Sequence, residues 1–281
     1  MAVEQAIPSR HSLRLPRTAT MAFVALNLLG MAAYLHPFLF ATARAEDSSW
    51  FMHATDGPLI VAAVAALCLA LTIAELTGGG MNSKSLAALG VLAALAAVLR
   101  TVTLPAGANL YFFLVILGGY SFGPRMGFLL GALSFFLSAL VTGGVGPWLP
   151  FQMFASAWMG LTAGALRTAL APLRPGTRAE VGLLALFGAT WGILFGAVTN
   201  LWFWPFWAGG PDVTFQPGIG AAEAARRYRN FYLLTSFGWD LMRSVCNAAV
   251  ILALGGPLLR ALLRFHDRFH WNERAHRSYE R

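Results

Sequence analysis

Eight long apolar runs, none of them alternating with period two, leave this chain little choice of architecture. They are Thr20 to Ala43, Pro58 to Leu76, Leu86 to Leu99, Leu110 to Phe122, Met126 to Val141, Phe151 to Leu170, Val181 to Trp207 and Phe231 to Leu263. In hydrocarbon every backbone N–H and C=O needs an internal partner, so bilayer-crossing segments are helices or the strands of a closed barrel. Barrel strands alternate apolar and polar residues, and these runs do not. An all-α integral membrane bundle of eight spans is expected. Composition agrees, with 57% hydrophobic and 11% charged residues, against roughly 25% charged in soluble domains. Eight spans of about 20 residues each leave no room for a soluble catalytic domain among 281 residues.

The net charge of +8 would point to nucleic acid in a soluble protein. Here the charges sit at the ends of apolar runs and read as topology signals, so nucleic acid is not an expected partner. With the N-terminus inside, 14 of the 20 basic residues fall on the cytoplasmic side: Arg10, Arg14, Arg17, Lys84, Arg125, Arg167, Arg174, Arg178, Arg260, Arg264, Arg268, Arg274, Arg277 and Arg281. Arg44, Arg100, Arg226, Arg227 and Arg229 fall outside, and Arg243 lies within a span. The bias places both termini in the cytoplasm of a multi-pass protein of the cell membrane. Ala41-Thr42-Ala43 resembles a signal-peptide cleavage site, but the run before it exceeds the usual 7 to 15 or so apolar residues of such a segment and is read as a span. Cys68 and Cys246 sit inside apolar runs and form no disulfide or metal framework.

Gly78-Gly79-Gly80-Met81-Asn82-Ser83 has linker character. It divides the chain into a basic N-terminus (1–19), a two-helix extension (20–78), a six-helix membrane domain (79–265) and a basic tail (266–281). Lys84 follows this linker one residue short of a phosphate-binding loop, with Ser83 where the second glycine belongs and no strand ahead of it. The chain is therefore not expected to bind ATP itself. His266 and His270 stand at i and i+4 without the glutamate of a zinc-protease helix. Neither paired carboxylates nor a nucleophile elbow appears, so no catalytic residue, metal or cofactor is expected.

Small residues recur at helical spacing. Ala87, Gly90, Ala94 and Ala97 share a face of the third run, open to internal packing or to a partner helix. The ladders Gly127 and Gly131, Ser156, Gly160 and Gly164, and Gly188, Gly192 and Gly196 read as packing within the bundle. Gly143 to Pro150 forms a glycine- and proline-rich connection, a lid or a turn, ahead of Gln152. On the last run Tyr232, Ser236, Asp240, Arg243 and Asn247 fall in one arc at 100° per residue. Ionisable groups at membrane depth face a cavity or one another, so Asp240 and Arg243 either lock the bundle or meet a ligand. Trp191 and Asn200 on the seventh run precede the dense group Trp202, Phe203, Trp204, Phe206 and Trp207, a membrane-interface belt or a stacking surface for a flat ring.

Gly118-Gly119-Tyr120-Ser121-Phe122-Gly123-Pro124-Arg125-Met126-Gly127, continuing to Ser134 and followed by Gly143 to Met153, resembles the S components of energy-coupling factor (ECF) vitamin transporters. Asn200 to Phe206 and Trp239 to Asn247 extend the resemblance, which covers about Leu86 to Arg264. It implies a six-helix S-component-like bundle, here preceded by two additional transmembrane helices. It also implies capture of a vitamin or related micronutrient from outside, then delivery through a transmembrane coupling subunit driven by two cytoplasmic ATPases, with no cofactor in the chain itself. On that resemblance Ala87, Gly90, Ala94 and Ala97 contact the coupling subunit, while Asn109, Gln152, Trp191, Asn200, Trp204, Tyr232, Ser236, Asp240, Arg243 and Asn247 are candidates for binding substrate. The rival reading is a proton-coupled secondary carrier using Asp240 and Arg243; an intramembrane enzyme or a scaffold is a further one.

Overall fold

A computed structural model describes residues 17–40, 50–77, 81–104, 108–170 and 176–279. The cleavage-like Ala41-Thr42-Ala43, the glycines at 78–80, Arg10, Arg14 and the side chains of Arg17 and His270 lie outside what is described. The described residues form helices α1 (Arg17–Phe40), α2 (Trp50–Thr77), α3 (Ser83–Thr101), α4 (Tyr111–Phe122), α5 (Pro124–Thr142), α6 (Leu149–Ala169), α7 (Arg178–Phe203), α8 (Ala221–Thr235) and α9 (Phe237–Tyr279), with one 3₁₀ turn at Trp204–Phe206. Among them six are long and apolar enough to cross a membrane: α1, α2, α3, α5, α7 with its 3₁₀ turn, and α9. Helix α4 has only 12 residues, about 18 Å of rise against a hydrocarbon core of about 30 Å. It is buried from Tyr111 to Ser121 and forms the centre of the bundle. Helix α6 is diluted by Gln152, Ser156, Thr162 and Arg167.

Two glycine seams set the packing. Along the first, a Cβ on Gly127 or Gly119 would overlap the backbone of Gly160, and one on Gly131 would overlap that of Ser156, so α4, α5 and α6 touch backbone to backbone. Along the second, Gly188, Gly192 and Gly196 of α7 lie against Ile251, Ser244 and Asp240 of α9. Without Cβ atoms helices approach closely and gain dispersion contacts that lipid does not supply. Between α4 and α5 the chain reverses at Gly123, whose φ of 97° suits only glycine, and Pro124 starts α5 where its missing N–H costs nothing. Helix α7 starts on Thr177, whose side chain caps the Glu180 amide, while the Glu180 carboxylate accepts from Gly176 N and the Tyr120 hydroxyl.

Apart from α8, the helices alternate in direction and give the bundle two unlike ends. Lys84, Arg125, Arg167, Arg178 and Arg260 mark a basic end; Tyr34, Phe38, Phe151, Trp202, Trp204 and Phe215 gather at an aromatic end. Helices α1 and α2 pack as a hairpin against α6 and are fixed at both ends. At the aromatic end the Tyr34 hydroxyl donates to Phe151 O at 2.7 Å, and midway Trp158 Nε1 donates to Asn27 Oδ1 at 3.0 Å. At the basic end Glu75 of α2 pairs with Arg125, which also donates to Thr20 Oγ1 of α1.

One expectation needs correcting. The apolar stretch 231–263 is not one span: the helix breaks at Ser236, which places Tyr232 on the amphipathic α8 and starts α9 at Phe237. Helix α9 then continues to Tyr279, so the segment drawn as the basic tail is helical as far as that residue.

Candidate functional site

The polar stripe expected on one helix is built instead from two, and from the carbonyls of a third. Asp240 sits one turn into α9 against Gly196, where any side chain on α7 would displace it. Its Oδ1 accepts from Arg243 Nη1 at 2.5 Å and its Oδ2 from the Tyr232 hydroxyl at 2.9 Å. The same Arg243 nitrogen reaches Gly192 O at 3.3 Å, Ser244 Oγ donates to Ala189 O at 2.8 Å, and Asn247 Nδ2 donates to Gly188 O at 3.2 Å. Asp240 and Asn247 are 2% exposed, so these bonds satisfy groups that would otherwise be orphaned in a low-dielectric seam. Both carboxylate oxygens of Asp240 are engaged within the protein. Arg243 keeps Nε and Nη2 without a hydrogen-bond partner among the described residues, its guanidinium 5.3 Å from the rings of both Phe112 and Phe195.

Further toward the aromatic end Asn200 Nδ2 donates to Ser236 Oγ at 2.7 Å, tying α7 to the α8–α9 break. Trp204 is buried, donates Nε1 to Val213 O at 2.8 Å and packs edge-on to Phe215 and Tyr228, which folds the 207–220 connection over the bundle. Trp191 is also buried, with its indole N–H on Thr162 of α6. Gln152 is half-buried on the first turn of α6. Asn109 accepts from the Tyr111 amide and pairs with Thr103 in an isolated bridge that closes the α3–α4 connection. Tyr232, Ser236, Asp240, Arg243, Asn247 and Asn200 are thus brought together; Asn109, Gln152, Trp191 and Trp204 stand apart from them. Sequence reasoning missed Arg100 and Phe135. The Arg100 guanidinium lies 4.0 Å over the Phe135 ring and donates to Ser138 Oγ at 2.8 Å, and Phe135 stacks on Phe195 at 5.8 Å.

On α3 the residues Ala87, Gly90 and Ala94 are exposed, with nothing within 4 Å of a Cβ built on Gly90. Ala97 departs from that face and is buried at 2% exposure, because α3 turns it toward the rest of the bundle. Beside Ala87 an apolar groove of about 490 Å³ runs between α3 and α9, lined by Lys84, Val91, Leu92, Phe122, Leu258 and Phe265 among others. The α1–α2 hairpin packs on the α6 side and leaves this face open.

The described residues thus combine a small-residue helix face left open, a polar cluster toward one end and basic residues at the other. The family of the substrate-specific component of ECF transporters matches residues 84–255. The chain belongs to this family. The match begins at the second residue of α3 and ends within α9, so it takes in the bundle of α3 to α9 and leaves α1 and α2 ahead of it. No curated protein and no solved structure matches the chain. As a substrate-specific ECF component it is a multi-pass membrane transport subunit rather than an enzyme, and its family places it with the components of an ECF coupling module.

Proposed function

We propose that this substrate-specific component captures a vitamin or related micronutrient from outside at the aromatic end and delivers it through a coupling subunit powered by two ATPases. The observation that carries the reading is the open face of Ala87, Gly90 and Ala94 on α3, inside the family match and clear of the α1–α2 hairpin. Small residues permit a partner helix to approach at backbone distance, and the adjoining apolar groove extends that surface toward α9. The substrate meets the cluster formed by Asn200, Tyr232, Ser236, Arg243 and Asn247, with Asp240 holding Arg243 in place. Both termini are cytoplasmic, and α1 and α2 are two additional spans ahead of the six-helix unit, for eight spans in all.

The experiment uses full-length protein reconstituted with a coupling module. Gly90 has open space around it, so Gly90→Leu and Ala94→Leu fold normally; bulk on this face then abolishes ATP-dependent uptake while the isolated subunit binds ligand as before. Equal loss of binding and uptake shows instead that the face packs internally.

A further inference from the structure

Arg100 is the penultimate residue of α3, at the aromatic end. A long basic side chain at such a position ordinarily snorkels outward, laying its stem on apolar surface and its charge in water or headgroups. This one does not. Its guanidinium turns onto the ring of Phe135, itself 2% exposed, and donates to Ser138, which is fully buried.

The charges nearby leave it unmatched. At the same end Arg226 and Arg227 of α8 are paired with Glu223, and Arg226 also with Asp212. Arg243 is paired with Asp240. Arg229 is exposed. Among the described residues no carboxylate pairs with Arg100. Two stacked aromatic rings stand between it and Arg243 and link the cations into one cluster: Arg100 over Phe135, Phe135 stacked on Phe195, Phe195 facing Arg243. Asp240 supplies a single negative charge, and both of its oxygens are already engaged. The cluster therefore holds one positive charge in excess, within a low-dielectric setting where an unmatched charge is costly. Each arginine also keeps Nε and Nη2 unbonded among the described residues, donors whose planar fork matches the oxygens of a carboxylate or phosphate.

We propose that the substrate is an anion, a small molecule bearing a carboxylate or phosphate, and that Arg100 together with Arg243 receives that group. This rests on the reading of the chain as a substrate-capturing subunit and adds the charge class of what it captures. A lipid phosphate has the same chemistry, but the half-buried Arg100 lays its head on buried Phe135 and Ser138, which favours a soluble ligand.

The test uses the full chain purified in a neutral detergent. Binding is measured by calorimetry and by ligand-induced thermal shift for nicotinate, biotin, pantothenate and pyridoxal phosphate. Each is set beside an uncharged counterpart (nicotinamide, biotin amide, pantothenol, pyridoxine), with thiamine as a cation and phosphatidylglycerol as an anionic lipid. At least one soluble anion binds, its uncharged counterpart binds tenfold or more weakly, and Arg100→Gln weakens the anion about thirty-fold or more. Arg100→Lys restores part of the loss, since it returns the charge without the fork. If Arg100→Gln fails to fold, the anion-to-neutral ratio of the unaltered protein decides alone. Tight binding of a neutral or cationic member, indifferent to Arg100→Gln, overturns the charge assignment and leaves the transport function standing. Stabilisation by phosphatidylglycerol only overturns it in favour of a lipid site. If no member binds, the charge assignment is overturned too, and ATP-dependent uptake by the reconstituted complex then judges the function separately.

Discussion

At the scale of single residues, the seam between α7 and α9 shows why a buried ion pair is held in this chain at all. Asp240 fits only because residue 196 is glycine, and its charge is balanced only by Arg243 and the Tyr232 hydroxyl. Breaking such a pair from one side leaves an uncompensated charge, whereas removing both partners is often neutral. Arg243→Met is therefore expected to lower stability by about 3 kcal/mol or more, read as a fall in the unfolding midpoint of the detergent-purified protein. The double variant Asp240→Asn, Arg243→Met recovers most of that stability and does not recover ligand binding. Recovery of both would assign the pair to the scaffold alone. This separation was partly legible in the sequence. The spacing of Asp240 and Arg243 predicts their contact, but it says nothing of Gly196 or of the α7 carbonyls that fill the remaining valences. Arg100 was legible only as a topology charge, because its partner Phe135 sits on another helix and only the packing of α3 on α5 brings them together.

At the scale of elements, the helical ladders of glycine and serine were readable because backbone contact demands them, and the seams fall where the spacing places them. The break at Ser236 was not, since the mostly apolar run from Phe231 to Leu263 carries no proline or glycine at residue 236 to mark it. A signal lies just upstream. Ala221-Ala222-Glu223-Ala224 is a run of helix formers, and Glu223 stands at i, i+3 and i, i+4 to Arg226 and Arg227, which marks a separate amphipathic helix. Those two arginines hold the Glu223 carboxyl down at about 2. Its pairing thus contributes above the ordinary glutamate range and fades as pH falls through that range toward 2. The α1–α2 hairpin carries the more consequential pair. Glu75 has 4% side-chain exposure and Arg125 has 20%, and through Thr20 the same arginine holds α1. Glu75→Ala should cost about 3 kcal/mol, and a double-mutant cycle with Arg125→Ala should return a coupling energy above about 1 kcal/mol. Additive single effects would mean that the hairpin is held by apolar packing alone.

For the whole molecule, the question is how an extension of two helices coexists with the docking face proposed on α3. The contacts answer it by geometry: α1 and α2 lie on α6, tied at Phe151, Trp158 and Arg125, while α3 faces away with its small residues bare. The extension is therefore packed on the α6 side, away from the α3 face proposed for a coupling subunit. The proposed orientation, with both termini in the cytoplasm, draws on the two unlike ends. The rule that sets topology counts lysine and arginine near the span ends and gives little weight to acidic residues, so the pairing of Arg226 and Arg227 does not remove them from the outward count. They and three other arginines still stand against 14 basic residues on the opposite side. Helices α1, α3 and α9 each bring basic residues to the same end: Arg17 begins α1, Lys84 begins α3, and Arg260 and Arg264 lie in the latter half of α9. Short tags fused at the N-terminus and after residue 281 are both expected to be protected from extracellular protease and labelled only after permeabilisation. A cysteine introduced at Val145, exposed in the connection between α5 and α6 at the opposite end, is expected to react with an impermeant thiol reagent in intact cells. If the C-terminal tag is accessible from outside while the N-terminal one is not, the number of crossings is odd, and either α4 or α6 fails to return the chain across the membrane.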